Sequence, residues 1–172
     1  MKKIHAHLIG EIVSSNFPEA HSLYKKSSFG EKNEEKIQYS FSEALFLVEN
    51  GKMEVFLGKK ELSKNGLIKK IQKFDKKILV KYPVFRDLRK RGYILKTALK
   101  FGADFRVYPK GIKPGKKHAK WIVFVDYETN KITWHEFSAK NRVAHSTKKN
   151  LLLAIVDEES DITYYEVSWL KP

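Results

Sequence analysis

Apolar positions fall into short blocks whose spacing changes along the chain, and those changes predict the elements. Residues 4–13 partly alternate between apolar and polar and predict a first strand. Residues 25–36 are rich in Lys, Ser and Glu around Gly30 and predict an exposed turn region. Ser40 followed by Glu43 has capping-box spacing ahead of Ala44, Leu45, Leu47 and Val48, and Gly51 stands where a helix ends, so a short helix is expected between them. Residues 52–57 alternate into a strand. Residues 62–78 carry Leu67, Ile68, Ile71, Phe74 and Ile78 at helical spacing. Pro83 is placed to open a further helix and Gly92 to close it, with Val84, Phe85 and Leu88 inward and Arg86, Arg89, Lys90 and Arg91 towards water.

Past Gly92 the pattern shifts towards strands, predicted at residues 93–96, 104–108, 121–127 and 131–137. Ser138 is then expected to cap a short helix through Val143 towards Lys148. The apolar run 151–156 reads as a buried strand, joined by the acidic turn Asp157-Glu158-Glu159-Ser160 to a last strand over 162–170. The fold class expected is α/β (α+β): a small N-terminal α/β domain over residues 1–82, then a C-terminal mixed β-sheet flanked by helices, nuclease-like, over 83–172.

Composition narrows the function classes. The 172 residues include no cysteine, so disulfides, zinc–thiolate sites, iron–sulfur clusters and cysteine nucleophiles are excluded. No apolar run approaches the length of a bilayer span, and His5, His7 and Glu11 interrupt the start as a signal segment, so a cytoplasmic protein without membrane association is expected. Thirty-four Lys+Arg against twenty Asp+Glu leave a net charge of +14, which attracts a polyanion through counterion release. Lysine richness has other sources, such as a hot habitat, so charge alone does not assign an RNA partner.

Among the six histidines, the His5-x-His7 pair would share one face of a strand, but no third ligand accompanies it and no metal site is expected there. His118 closes a surface loop with two glycines, two prolines and four lysines running from Tyr108 (Tyr108-Pro-Lys-Gly-Ile-Lys-Pro-Gly-Lys-Lys). Tyr108 ends the preceding strand and Trp121 starts the next, so the two rings are expected to meet at one rim of the sheet. Taken alone, this is a basic hairpin with an incidental histidine.

Longer motifs say more. Phe85-Arg-Asp-Leu-Arg-Lys-Arg-Gly-Tyr-Ile-Leu-Lys-Thr-Ala-Leu-Lys-Phe-Gly-Ala-Asp-Phe-Arg-Val-Tyr108, Pro114-Gly-Lys-Lys-His118, Arg142-Val-Ala-His-Ser-Thr-Lys-Lys149 and the ending Tyr164-Tyr-Glu-Val-Ser-Trp-Leu-Lys-Pro172 stand in order along the second half. Together they resemble the archaeal tRNA-intron endonuclease family, densely over 83–172 and thinly at Ser42-Glu-Ala-Leu-Phe-Leu-Val-Glu-Asn-Gly-Lys-Met-Glu-Val55. The resemblance implies a catalytic Tyr108, His118 and Lys149 that cut precursor tRNA without metal or cofactor, leaving a 2′,3′-cyclic phosphate and a 5′-hydroxyl. It also implies a bulge base gripped by Arg142 and a residue near the C-terminus, here Trp169 where many relatives carry arginine. Asp157, Glu158, Glu159 and Asp161 would contact a neighbouring subunit of a homotetramer or a heterotetramer, and the last strand would pair with its copy.

The chemistry is coherent, because RNA brings its own nucleophile. The site must take the 2′-hydroxyl proton, protonate the 5′-oxygen and balance the charge on phosphorus. A phenol with a pKa of about 10 is a weak base near neutrality, and a nearby ammonium favours its phenolate. Imidazole titrates where an acid is needed. Two other readings stay open: a non-catalytic RNA-binding module or structural subunit, and a metal-dependent nuclease. The second would need clustered carboxylates, and Asp126 and Glu128 have no Glu-x-Lys after them.

Overall fold

The computed structural model describes residues 2–172, which divide into two compact units at Tyr82–Pro83. The class is α+β, with five α-helices and two mixed sheets among the described residues. Among the described residues, no helix is long and apolar enough to cross a membrane.

The first unit carries a six-stranded sheet in the order β3-β4-β2-β1-β5-β6. Its strands are β1 (Ile4–Ile9), β2 (Ile12–Ser15), β3 (Glu31–Asn33), β4 (Lys36–Tyr39), β5 (Met53–Leu57) and β6 (Lys60–Leu62). The predicted first strand is two, folded back at Gly10 with φ +58°, so Leu8 faces Val13 across a hairpin. Helix α1 (Pro18–Ser27) has no counterpart in the expected pattern, although Pro18 at its start, Glu19 in the first turn and Lys25 and Lys26 in the last turn mark it. The supposed exposed turn after Lys25 therefore begins inside a helix. It continues through buried Phe29 and Gly30 before reaching solvent.

Glu43 explains that burial. Its carboxylate accepts the Gly30 N–H at 2.9 Å and the Ser40 N–H at 3.0 Å, while Ser40 Oγ accepts the Glu43 N–H. The expected capping box thus starts α2 (Phe41–Glu49) and also pins the preceding loop. A side chain at Gly30 would meet Ile37 at 2.4 Å with φ at +75°, so the loop needs glycine there.

The helical spacing over 62–78 spans two helices, not one. α3 (Lys64–Ile71) ends early, and the Asp75 carboxylate accepts the Lys77 N–H at 3.0 Å to begin α4 (Ile78–Lys90). Pro83 accordingly sits inside α4 rather than opening it. Gly92 follows the helix with φ +93°, as expected of a terminator.

The second unit is built on the sheet order β11-β10-β9-β8-β7: β7 (Ile94–Ala98), β8 (Ala103–Tyr108), β9 (Trp121–Tyr127), β10 (Asn150–Val156) and β11 (Ile162–Val167). β9 and β10 are parallel and the other pairs antiparallel. Residues 131–137 form no strand. Thr133 Oγ1 accepts the Glu136 N–H, the Glu136 carboxylate accepts the Thr133 N–H at 2.7 Å, and this second capping box starts α5 (Trp134–Ser146) four residues before Ser138. Ala144 of α5 packs with Ala98, Ala103, Ile122 and Leu151 to form the core on one face of the sheet.

Candidate active site

Strand alternation decides which side chains of β8 enter the site. Successive residues point to opposite faces, so Asp104, Arg106 and Tyr108 share one face while Phe105 and Val107 share the other. Tyr108 is buried beside Ile94 and Ala119. Beyond it the chain makes a loop with turns at Pro109–Ile112 and Lys113–Lys116, and Lys120 N–H rejoins the sheet at Val107 O. This brings exposed His118 back over the end of β8.

Lys149 arrives from the far side. After α5, Lys148 takes φ +54° and the Lys149 N–H bonds Ala144 O, which turns the chain into β10. The half-buried Lys149 ammonium donates to Thr147 O at 2.8 Å and lies 5.7 Å from the centre of the Phe101 ring. Burial, and after it the positive charge of Arg106, holds its pKa below the usual lysine value.

Tyr108, His118 and Lys149 line one cavity of about 770 Å³, with Phe101, Arg106, Lys116 and Lys117 among the other walls. The lining contains one imidazole and no carboxylate. It is suited to binding an anion and moving protons between a phenol and an imidazole. Trp121 is not part of it: Trp121 pairs with Val107 and so lies on the opposite face from Tyr108. There its ring meets Tyr93 edge-on at 5.8 Å and its Nε1–H donates to Glu166. The two rings expected at one rim are therefore separated by the sheet.

A second groove, of about 670 Å³, runs along α5 and the end of the chain. Arg142 and Trp169 both line it, with Phe137, Asn141 and His145. Trp169 is 62% exposed and meets the His145 ring edge-on at 4.2 Å. It lies beyond β11, which stops at Val167 rather than running to residue 170.

Residues 78–164 match the family model for the tRNA intron endonuclease catalytic C-terminal domain, and residues 4–68 match that for its N-terminal domain. The chain belongs to the tRNA intron endonuclease family. It is similar to the tRNA-splicing endonuclease of Thermococcus kodakarensis, at 42% identity over 96% of this chain and 97% of that one. It is also similar to those of Methanothermobacter thermautotrophicus, at 42% over 89% of each chain, and Nanoarchaeum equitans, at 45% over 76% of this chain and 87% of that one.

For a member of the family, the remaining candidates sort by position. His5 and His7 do share an exposed face of β1, where their rings pack with Phe17 and Phe56. No cluster of three or more metal-ligating side chains occurs among the described residues. Asp126 holds a turn by accepting the Tyr127 N–H at 2.9 Å, and neither it nor Glu128 lines the cavity. In the acidic turn Asp157 is structural, since its Oδ1 accepts the Glu159 and Asp161 N–H groups. Glu158, Glu159 and Asp161 project into solvent. The family motifs contain Arg106 and His145 and give neither a role. Arg106 lies two residues before Tyr108 on an alternating strand, so the sequence alone puts it on the same face.

Proposed function

We propose that this protein is a tRNA-intron endonuclease that cuts precursor tRNA at bulge–helix–bulge splice sites, with Tyr108, His118 and Lys149 as its catalytic groups and no metal in the reaction. The observation that carries the reading is the single cavity shared by those three side chains, which come from a strand end, a loop and a post-helical turn. Tyr108, as phenolate, takes the proton of the 2′-hydroxyl, and the 2′-oxygen attacks the adjacent phosphorus. His118, as imidazolium, gives its proton to the departing 5′-oxygen as the P–O5′ bond breaks. Lys149 opposes the charge that accumulates on the phosphate. The products are a 2′,3′-cyclic phosphate and a 5′-hydroxyl.

The groove along α5 supplies a grip for an unpaired base. Arg142 offers a guanidinium plane and Trp169 an indole face, both suited to stacking. Exposed Glu158, Glu159 and Asp161, together with β11 at the sheet edge, support assembly into a homotetramer, or into a heterotetramer with a second kind of subunit. A twofold arrangement provides the two active sites that a precursor with two splice sites requires.

The deciding experiment incubates the purified chain with an intron-containing precursor tRNA in excess EDTA and analyses the ends. Excision with cyclic-phosphate ends is expected. Activity that disappears in chelator and returns with magnesium would overturn the mechanism, and the absence of cutting under any condition would overturn the function.

A further inference from the structure

We infer that Arg106 is a second phosphate-binding group of the cleavage site, pairing its guanidinium fork with the non-bridging oxygens of the scissile phosphate as charge builds there. The inference rests on the proposed cleavage reaction and extends it to a residue outside the three catalytic groups.

The charge count of the reaction calls for it. A phosphodiester enters with one negative charge, and attack by the 2′-oxygen, once its proton has passed to Tyr108, adds a second to the five-coordinate phosphorus. Lys149 balances one. His118 does not balance the other through the whole step, because it becomes neutral as its proton goes to the 5′-oxygen and the P–O5′ bond breaks. A fixed second cation is therefore needed in the same cavity.

Arg106 meets that need by position. It lines the cavity with Tyr108, His118 and Lys149. It stands two residues before Tyr108 on β8, so the two side chains leave the same face of the strand roughly 6.7 Å apart along it. Its Cα neighbours are Lys96 on β7 and Ile122 on β9, so it is carried by an interior strand paired on both sides. Lys116 and Lys117, the other cations of the lining, sit exposed on a loop. A half-buried side chain on a paired strand is held in place better than either, and electrostatic stabilisation depends on such preorganisation. The guanidinium also differs in kind from the Lys149 ammonium, since its planar fork matches two phosphate oxygens at once. Its proximity to Lys149 is felt electrostatically: the Arg106 charge helps hold the Lys149 pKa below its ordinary value. An anion between the two would relieve that repulsion.

The test uses full-length Arg106→Gln and Arg106→Lys with precursor tRNA, measuring single-turnover cleavage at saturating enzyme, RNA affinity and thermal melting. Arg106→Gln is expected to cut about 10²–10³-fold more slowly, the usual loss for one preorganised donor to developing charge. Affinity should change less than about threefold, because many phosphate contacts share the binding. Arg106→Lys keeps the charge without the fork and should fall between Gln and the parent. Either of two results overturns the inference: cleavage by Arg106→Gln within about threefold of the parent, or a loss confined to affinity with the saturated rate intact. If the Gln variant fails to melt cooperatively, the Lys variant decides, and a parental rate in it overturns the fork. Parent enzyme that cuts while Arg106→Gln cuts equally well removes only this inference. Parent enzyme that does not cut removes the proposed reaction itself.

Discussion

Lys149→Met separates the charge of the lysine from the bulk of its side chain. In the parent the ammonium is half-buried beside Phe101, donates to Thr147 O at 2.8 Å and shares its cavity with Arg106. Methionine retains the stem and removes the cation. One preorganised group facing the developing phosphate charge contributes about 3–4 kcal/mol, so single-turnover cleavage should fall about 10²–10³-fold. The parent should also lose rate as pH rises through the folded pKa of Lys149, which burial and Arg106 hold below 10.5. Stability carries the same signature with a defined sign. Because the folded pKa lies below the unfolded one, the unfolded chain binds more protons between the two values, and the parent gains stability as pH rises through that window. The Met variant gains nothing from this position. The stability difference between the two proteins should therefore move in favour of the parent as pH rises from the lowered folded pKa towards the ordinary lysine value of 10.5. Cleavage followed from about pH 6 to about pH 10, with urea melts at each end, tests both expectations. The reasoning fails if Lys149→Met cuts within about tenfold of the parent, or if the parent rate stays flat up to pH 10.5.

Three further outcomes are expected. Trp169→Ala should weaken RNA binding by about 1–3 kcal/mol, the usual stacking contribution of one aromatic ring. Unaltered affinity and cleavage would leave Trp169 only its packing on His145. Replacing Glu158 and Glu159 by Gln and Asp161 by Asn, while keeping Asp157 to hold the turn, should lower the native mass in light scattering. A parental mass would remove the acidic turn from assembly. Glu43→Ala should destabilise the protein by about 2–5 kcal/mol, because it strands the Gly30 and Ser40 N–H groups. A melt shifted by less than about 0.5 kcal/mol would show that water replaces both bonds.

Local rules made part of this molecule readable. The Ser40/Glu43 box needs only residues three apart, and β9 opens with five apolar residues in a row, Trp121 to Val125, so both elements emerge where expected. The failures share a cause, which is competition between patterns of similar strength. Ile132 and Trp134 imitate strand alternation and mask the Thr133/Glu136 box beneath them, yet Trp134 is 82% exposed and the helix prevails. Continuous apolar spacing across residues 62–78 hides the break that Asp75 introduces. The placement of Trp121 depends on pairing parity: opposite Val107 it faces away from Tyr108, and shifting the register by one residue would reverse that. Tyr108, His118 and Lys149 are far apart in sequence, and no periodicity joins them. Family motifs singled them out, and the topology brings them to one cavity.

The same topology accounts for how a cluster of cations is held there at all. Arg106 and Lys149 repel each other, and Lys116 and Lys117 add to the positive field. For Lys149, partial charge of the opposite sign comes from the end of α5. Its last carbonyls carry the negative pole of the helix dipole, which favours a cation by about 0.3–1 kcal/mol, and Ala144 O accepts the Lys149 N–H. The chain turns sharply there, with Lys148 at φ +54°, and Lys149 folds its ammonium back onto Thr147 O. α5 thus has two tasks on one axis. Its exposed side carries Arg142 and His145 into the groove beside Trp169, and its C-terminal end fixes Lys149 in the cavity with Tyr108 and His118. Moving the end of the helix would displace the lysine without moving the groove. A single inserted alanine between Ser146 and Lys149 should consequently spare RNA binding and abolish cleavage.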